Sequence, residues 1–185
     1  MEPMSNRPFG WAVNAYTEGA VFTAFDLETT GLDPVRDRIV EIGALKFDRK
    51  GLMARFSTLV NPGVPMPAEA GKVNNITDEM LAGKPRIEEV LPDFLCFIED
   101  TILIAHNAPF DCGFINEKLK TPGLPFTVLP NRVADTLVFS RNRFPALKSH
   151  SLQSLASELR IPARGAHRAE DDARLCMEIF IRCLV

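Results

Sequence analysis

The 185-residue chain is sparing with cysteine: there are four, and no two of them form a C-x-x-C pair. Cys96, Cys112, Cys176 and Cys183 each sit in an apolar stretch. Reduced, buried thiols are therefore expected, and neither a disulfide framework nor a zinc site. Apolar runs are short as well. None approaches the ~20 residues a membrane helix needs, and "MEPMSNRPFGW" lacks the basic-then-apolar layout of a signal peptide. A cytoplasmic protein is the expectation. Low-complexity tracts, internal repeats and long linkers are missing too, which favours one compact domain with a sizeable core. There is no excess of positive charge, the formal net charge being −3. Taken alone, that value argues against a polyanionic partner, unless clustered acids bind divalent cations. Two such ions would turn −3 into +1. Basic residues do gather late, at Arg141, Arg143, Lys148, Arg160, Arg164 and Arg168, as a solvated surface also would.

Three strand candidates come first, 21–28, 38–47 and 52–60, the last two joined by the turn "DRKG". They suggest an antiparallel meander. Residues 1–20 show little periodicity and read as an arm or loose cap before a domain at 21–185. A Pro/Gly-rich loop follows the meander. From Ile87, apolar residues recur at Val90, Leu91, Phe94, Leu95 and Ile98, a helical stripe. Pro92 places the regular start of that helix close to itself. "TILIA" (101–105) is uniformly apolar, as in a strand covered on both faces. Helices are expected over 110–119, after Ser151 as N-cap, and over 170–184, with a short strand and helix start in "NRVADTLVFSR". Strands in a row and then strands alternating with helices imply an α/β fold, a mixed sheet flanked by helices.

Carboxylates interrupt this apolar pattern at telling places. In "VFTAFDLETTG", Asp26 and Glu28 lie two apart on a strand, on one face, roughly 7 Å apart at Cα. In "AHNAPFDCGFI", Asp111 stands in a first helical turn, where the helix dipole favours it. It shares its side with Phe114 and Ile115 and so points inward. In "HRAEDDARLCMEIFIRC", Asp171, Arg174, Glu178 and Arg182 trace a polar face, while Asp172, Cys176, Ile179 and Cys183 trace the buried stripe. His167 belongs to the loop before that helix. Four inward acids from three segments repel unless a cation joins them. All-oxygen donors suit magnesium or manganese, and the set matches metal-assisted phosphodiester hydrolysis, for which two ions are the usual arrangement.

"FDLETTG", "HNAPFD" and "HRAEDDA", in that order, resemble the three motifs of the DEDDh (DnaQ-like) 3′–5′ exonuclease family. The likeness spans about 21–183. It implies a ribonuclease H-like fold and release of nucleoside 5′-monophosphates from 3′ ends. It further implies two divalent cations, Mg²⁺ or Mn²⁺, held by Asp26, Glu28, Asp111 and Asp172. His167 would be the general base, a role that suits a side chain able to lose its proton near neutral pH. By the same likeness Leu27, Thr29, Ile76 and Phe110 would contact the terminal nucleotide. DNA is the expected substrate, as in proofreading or repair, with a DNA polymerase catalytic subunit as a possible partner. RNA ends or short oligonucleotides are the alternative, and a non-catalytic binding module is a minor one. Many relatives carry His-Gly before "IT" where this chain has Asn74–Asn75, a departure that bears on substrate preference. His106 is expected to order a strand-to-helix junction and His150 to lie on the surface.

Overall fold

The structure, a computed structural model, describes residues 10–121, 123, 126–163 and 167–184. Helix α1 (Gly10–Glu18) precedes the meander β1 (Phe22–Thr29), β2 (Ile39–Asp48) and β3 (Gly51–Leu59). Helices α2 (Ala68–Asn74), α3 (Asp78–Leu81) and α4 (Ile87–Ile98) lead to β4 (Ile102–Ala105) and α5 (Ala108–Leu119). Strand β5 (Val133–Asp135) and helices α6 (Thr136–Arg143), α7 (Leu152–Glu158) and α8 (Ala169–Leu184) complete the chain. The five strands form one sheet in the order β3-β2-β1-β4-β5. Pairing is antiparallel between β1, β2 and β3 and parallel from β1 through β4 to β5. This is the expected mixed sheet.

Alternation along β1 divides the core into two layers. Phe22 and Ala24 face α8, where Phe180 meets Tyr16, Phe22, Phe47 and Phe139 with ring centroids 5.2–6.3 Å apart. Phe25 and Leu27 face the other way, onto Phe94 of α4 and Phe114 and Ile115 of α5. Every carboxylate on the α8 side must therefore share that layer with aromatic rings. Strand β1 is buried for nearly its whole length because helices cover both of its faces.

Three expectations need correction. Residues 10–18 are not part of a loose arm. They form α1, with Ala12 buried, Tyr16 on the aromatic layer and the Arg132 guanidinium 3.9 Å over the Trp11 ring. A nine-residue helix is marginal alone, so the contacts that hold it are tertiary. Second, α4 begins at Ile87, well before Pro92, with the Glu89 carboxylate accepting from the Arg86 N–H at 2.7 Å. Pro92 and Glu88 both lie exposed, so water can satisfy the carbonyl that proline's missing N–H leaves free. Third, Cys96 is exposed, although Cys176 and Cys183 are buried as expected. Ser151 does cap α7, accepting from the Ser154 N–H.

Phe180 touches more aromatic partners than any other ring in this layer. Phe180→Ala should lower unfolding free energy by about 3–5 kcal/mol, read as a shift in the urea midpoint at constant slope.

Candidate active site

The site lies at the carboxyl-terminal end of β1 and is built from both sides of the sheet. Asp26 and Glu28 point toward α8, the face set by Phe22 and Ala24. Helix α8 starts directly on β2. A Cβ at Gly43 would come within 2.2 Å of the Ala169 and Glu170 backbone, and Gly43 is the cross-strand partner of Asp26. Only a glycine lets the first turn of α8 approach so closely, and that approach sets Asp172 over the strand. Asp172, Cys176, Ile179 and Cys183 are all buried along one stripe, and Arg174 pairs with Asp171 and Glu178 on the outer side. The predicted division of this helix is the observed one.

Ligand oxygens of Asp26, Glu28 and Asp172 lie within 4.8 Å of one another. Asp111 reaches the same strand from the other side. In the first turn of α5, it accepts a hydrogen bond from the Leu27 N–H at 3.1 Å, between the two strand carboxylates in sequence. His167 stands exposed in the turn before α8, with φ at 60°, and its backbone N–H donates to Asp172. Leu27 and Ile76 are buried. Thr29 donates through its hydroxyl to the Gly31 carbonyl at 2.6 Å, and Phe110 is half-buried with its ring against Phe114.

Burial and mutual repulsion dominate the electrostatics of this cluster. Burial raises the Asp26 carboxyl well above the usual range, and the charges of Asp111, Asp172, Glu28 and Glu41 raise it further. Glu28 is pushed to about 8, first by burial and then by Asp172 and Glu41. Burial takes Asp111 to about 8 against the opposing Leu27 N–H. Asp172 rises to about 6, again by burial, with His167 and Gln153 pulling the other way. The donor set is all oxygen, from four carboxyls whose charge of −4 would be balanced by two divalent ions, so the residues fit hard cations rather than zinc.

Four further residues hold this arrangement, and of them only Asn74 figured among the expectations, for substrate preference. Glu41, on β2 opposite Glu28, is buried and takes two contacts from Arg168 Nε (3.2 and 3.1 Å) and one from its Nη2 (2.7 Å). It also accepts from the Ala169 N–H at 3.1 Å, which pins the start of α8. Its signal in the sequence is the same as that of Asp26, an acid inside an apolar strand ("IVEIG"). Gln153 of α7 donates to Asp172 Oδ1 at 2.9 Å; no pattern in "SLQSLAS" marks it. Asn74 Nδ2 donates to the Thr29 carbonyl at 3.4 Å from the α2 end, and Gly43 makes room for α8. His106 acts at the junction, with Nδ1 2.9 Å from the Thr136 hydroxyl and Nε2 2.9 Å from the His150 carbonyl. A neutral ring protonated at Nε2 suits both contacts. His150 is half-buried rather than superficial, because its own Nε2 donates to the Phe144 carbonyl at 3.1 Å.

A mixed sheet whose central strand meets acids from three segments has the arrangement that nucleases of the exonuclease class use. A family profile described as Exonuclease (RNase_T) matches residues 23–180, and the chain belongs to this exonuclease family. It is 49% identical over 178 residues to the DNA polymerase III subunit epsilon of Treponema pallidum (strain Nichols), covering 93% of this chain and 80% of that protein. It is 43% identical over 163 residues to the PolC-type DNA polymerase III of Caldanaerobacter subterraneus subsp. tengcongensis, covering 88% of this chain but only 11% of that polymerase. Exonuclease X, solved with 5′-overhanging duplex DNA, has a TM-score of 0.71 at 27% identity, covering 88% of this chain and 90% of its own. E. coli exonuclease I with a dT13 oligonucleotide has a TM-score of 0.75 at 18% identity, covering 90% and 41%. The fold is ribonuclease H-like, and enzymes of this family depend on divalent metal.

The raised carboxyls give metal-free protein a definite pH dependence. The folded state holds protons that the unfolded chain releases near pH 4. Their stabilising contribution is thus complete below about 4 and is lost as pH rises through about 6 (Asp172) and about 8 (Glu28 and Asp111). With EDTA present, the melting temperature should fall between pH 5.5 and 8.5, and added Mg²⁺ should raise it more at pH 8.5. A flat profile, or an equal gain at both ends, would contradict the clustered-carboxylate account.

Proposed function

We propose that the chain is a 3′–5′ exonuclease of the proofreading or repair type. It removes nucleoside 5′-monophosphates from the 3′ end of single-stranded or frayed DNA. The observation that carries this reading is the meeting of the Asp26, Glu28 and Asp172 oxygens within 4.8 Å, in a site where burial keeps each carboxyl reluctant to ionise alone. Two divalent cations, Mg²⁺ or Mn²⁺, are the proposed occupants. Asp26, Glu28 and Asp172 would hold one, and Asp26 with Asp111 the other. The chemistry such ions supply is Lewis-acid stabilisation of the charge that develops on the phosphate.

The side chains do the rest. His167, exposed in its turn, takes a proton from the attacking water as that oxygen bonds to phosphorus. The P–O3′ bond breaks, and solvent protonates the departing 3′ oxygen. Gln153 keeps Asp172 turned toward the strand, and Arg168 is committed to Glu41 rather than to the site carboxylates. Phe110 and Thr29 would meet the terminal nucleotide, and the buried Leu27 and Ile76 would support that pocket from within the core. The relatives named as polymerase subunits or PolC-type polymerases support a polymerase catalytic subunit as partner, and with it a cytoplasmic setting.

The test pairs 5′-labelled DNA and RNA strands of identical sequence with wild-type protein and two variants. DNA should be shortened stepwise from its 3′ end in Mg²⁺ or Mn²⁺ and left intact in EDTA. His167→Ala should lower kcat by about 10²–10⁴-fold. Asp26→Ala should abolish turnover, yet keep or raise the melting temperature in EDTA because it removes repulsion. Cleavage of RNA alone would replace DNA proofreading by exoribonuclease activity, and full activity of Asp26→Ala would sink the mechanism.

A further inference from the structure

The turn that carries His167 is tied to the sheet by a buried carboxylate. Glu41 of β2 is 2% exposed, and donors occupy both of its oxygens. Arg168 Nε lies 3.2 and 3.1 Å from them and Arg168 Nη2 lies 2.7 Å from Oε1, while the Ala169 N–H donates to Oε2 at 3.1 Å. The two residues that follow His167 are thus both fixed, one by its side chain and one by its backbone. The Arg168 carbonyl then accepts from the Asp172 N–H at 3.0 Å, which opens α8. Glu41 itself is placed by strand pairing, opposite Glu28. A continuous path therefore runs from the carboxylates on β1, across the ladder to β2, and through Glu41 to the neighbours of His167.

Asp172 and His167 depend on this path unequally. Asp172 is also held by Gln153 and by the buried stripe of α8. His167 precedes the helix, is exposed and sits at φ 60°, a left-handed conformation that a non-glycine residue keeps only where its surroundings impose it. A bidentate guanidinium–carboxylate pair fixes direction as well as distance, whereas a buried ion pair adds little to stability beside apolar packing of the same volume. Geometry is what this pair supplies. A reacting group misplaced by about 1 Å loses on the order of 10²-fold in rate. We infer that Glu41 is a positioning residue for His167, acting through Arg168 and Ala169 to hold the imidazole over the carboxylate cluster. The inference rests on the role proposed above for His167 and on the cation-site reading, though not on any particular nucleic-acid substrate.

Paramagnetic broadening of the His167 ring signals by Mn²⁺, followed by NMR without nucleic acid, tests it alongside kinetics. The chain has three histidines, and the lines lost in His167→Ala identify that ring. In the wild type, bound Mn²⁺ should broaden His167 before His106 and His150. The test variant combines Glu41→Gln with Arg168→Gln, which removes the pair without changing net charge. Melting in EDTA would identify a temperature at which it is folded. It should lose most of the His167 broadening and lower kcat about 10–100-fold at saturating Mn²⁺ and DNA, with KM unchanged. Arg168→Lys, which keeps the charge but not the fork, should retain part of both, and if the double variant does not fold, Arg168→Gln takes its place with the same expectation. Wild-type broadening or wild-type kcat in the folded variant, even with a lower melting temperature, would show a purely structural role and overturn the inference alone. Wild-type protein that binds Mn²⁺ without broadening His167 would overturn the general-base reading and this inference together, and absence of Mn²⁺ binding would overturn the cation-site reading with them. Failure to degrade DNA with the difference in broadening intact would support the inference and count against the proposed substrate only.

Discussion

Repulsion among carboxyls held in one small, poorly solvated volume shapes this molecule more than any single attraction. Asp26, Glu28, Asp111 and Asp172 would separate, or stay protonated, if the chain allowed it. It does not, because each is carried on an element whose position is settled by apolar packing elsewhere. Strand β1 is buried between two layers, α5 is held by Phe114 and Ile115, and α8 is held by Phe180 and its ring of aromatic partners. The hydrophobic layers thus keep together charges that would otherwise part. Such a preformed set of oxygens would bind a divalent ion with little reorganisation, which is the physical basis for catalysis by positioned charge.

Neutral and charged partners divide the work around this cluster. Among the described residues, Glu41 is the buried acid on this face that has a dedicated cation, Arg168, and together they anchor the start of α8. The acids facing the site receive amide groups instead: the Leu27 N–H on Asp111 and the Gln153 carboxamide on Asp172. Amides orient an oxygen without neutralising it. A site furnished with arginines in those places would be more stable without metal and a poorer host for it.

Much of this was legible in the sequence. The alternation of β1, the apolar run of β4 and the two stripes of α8 are local periodicities, and they gave both the mixed sheet and the inward direction of Asp26, Glu28, Asp111 and Asp172. The start of α4 was misplaced because proline's cost depends on whether the orphaned carbonyl reaches water, and Glu88 does. The helix α1 was missed because it is only nine residues long and its apolar side, Trp11, Ala12, Ala15 and Tyr16, is buried by strands and helices far along the chain.

Residue type and spacing by themselves determined which acids turn inward, which helix face is buried and that an oxygen-ligand cation is needed, since these follow from pitch and charge over a few residues. Only the tertiary structure decided how the acids are held. The Glu41–Arg168 pair joins residues 127 apart, Gln153 reaches across two helices, and Gly43 matters only because α8 lies on it. Contacts of that kind leave no periodic trace, because they depend on where two distant surfaces meet and not on the residues beside them.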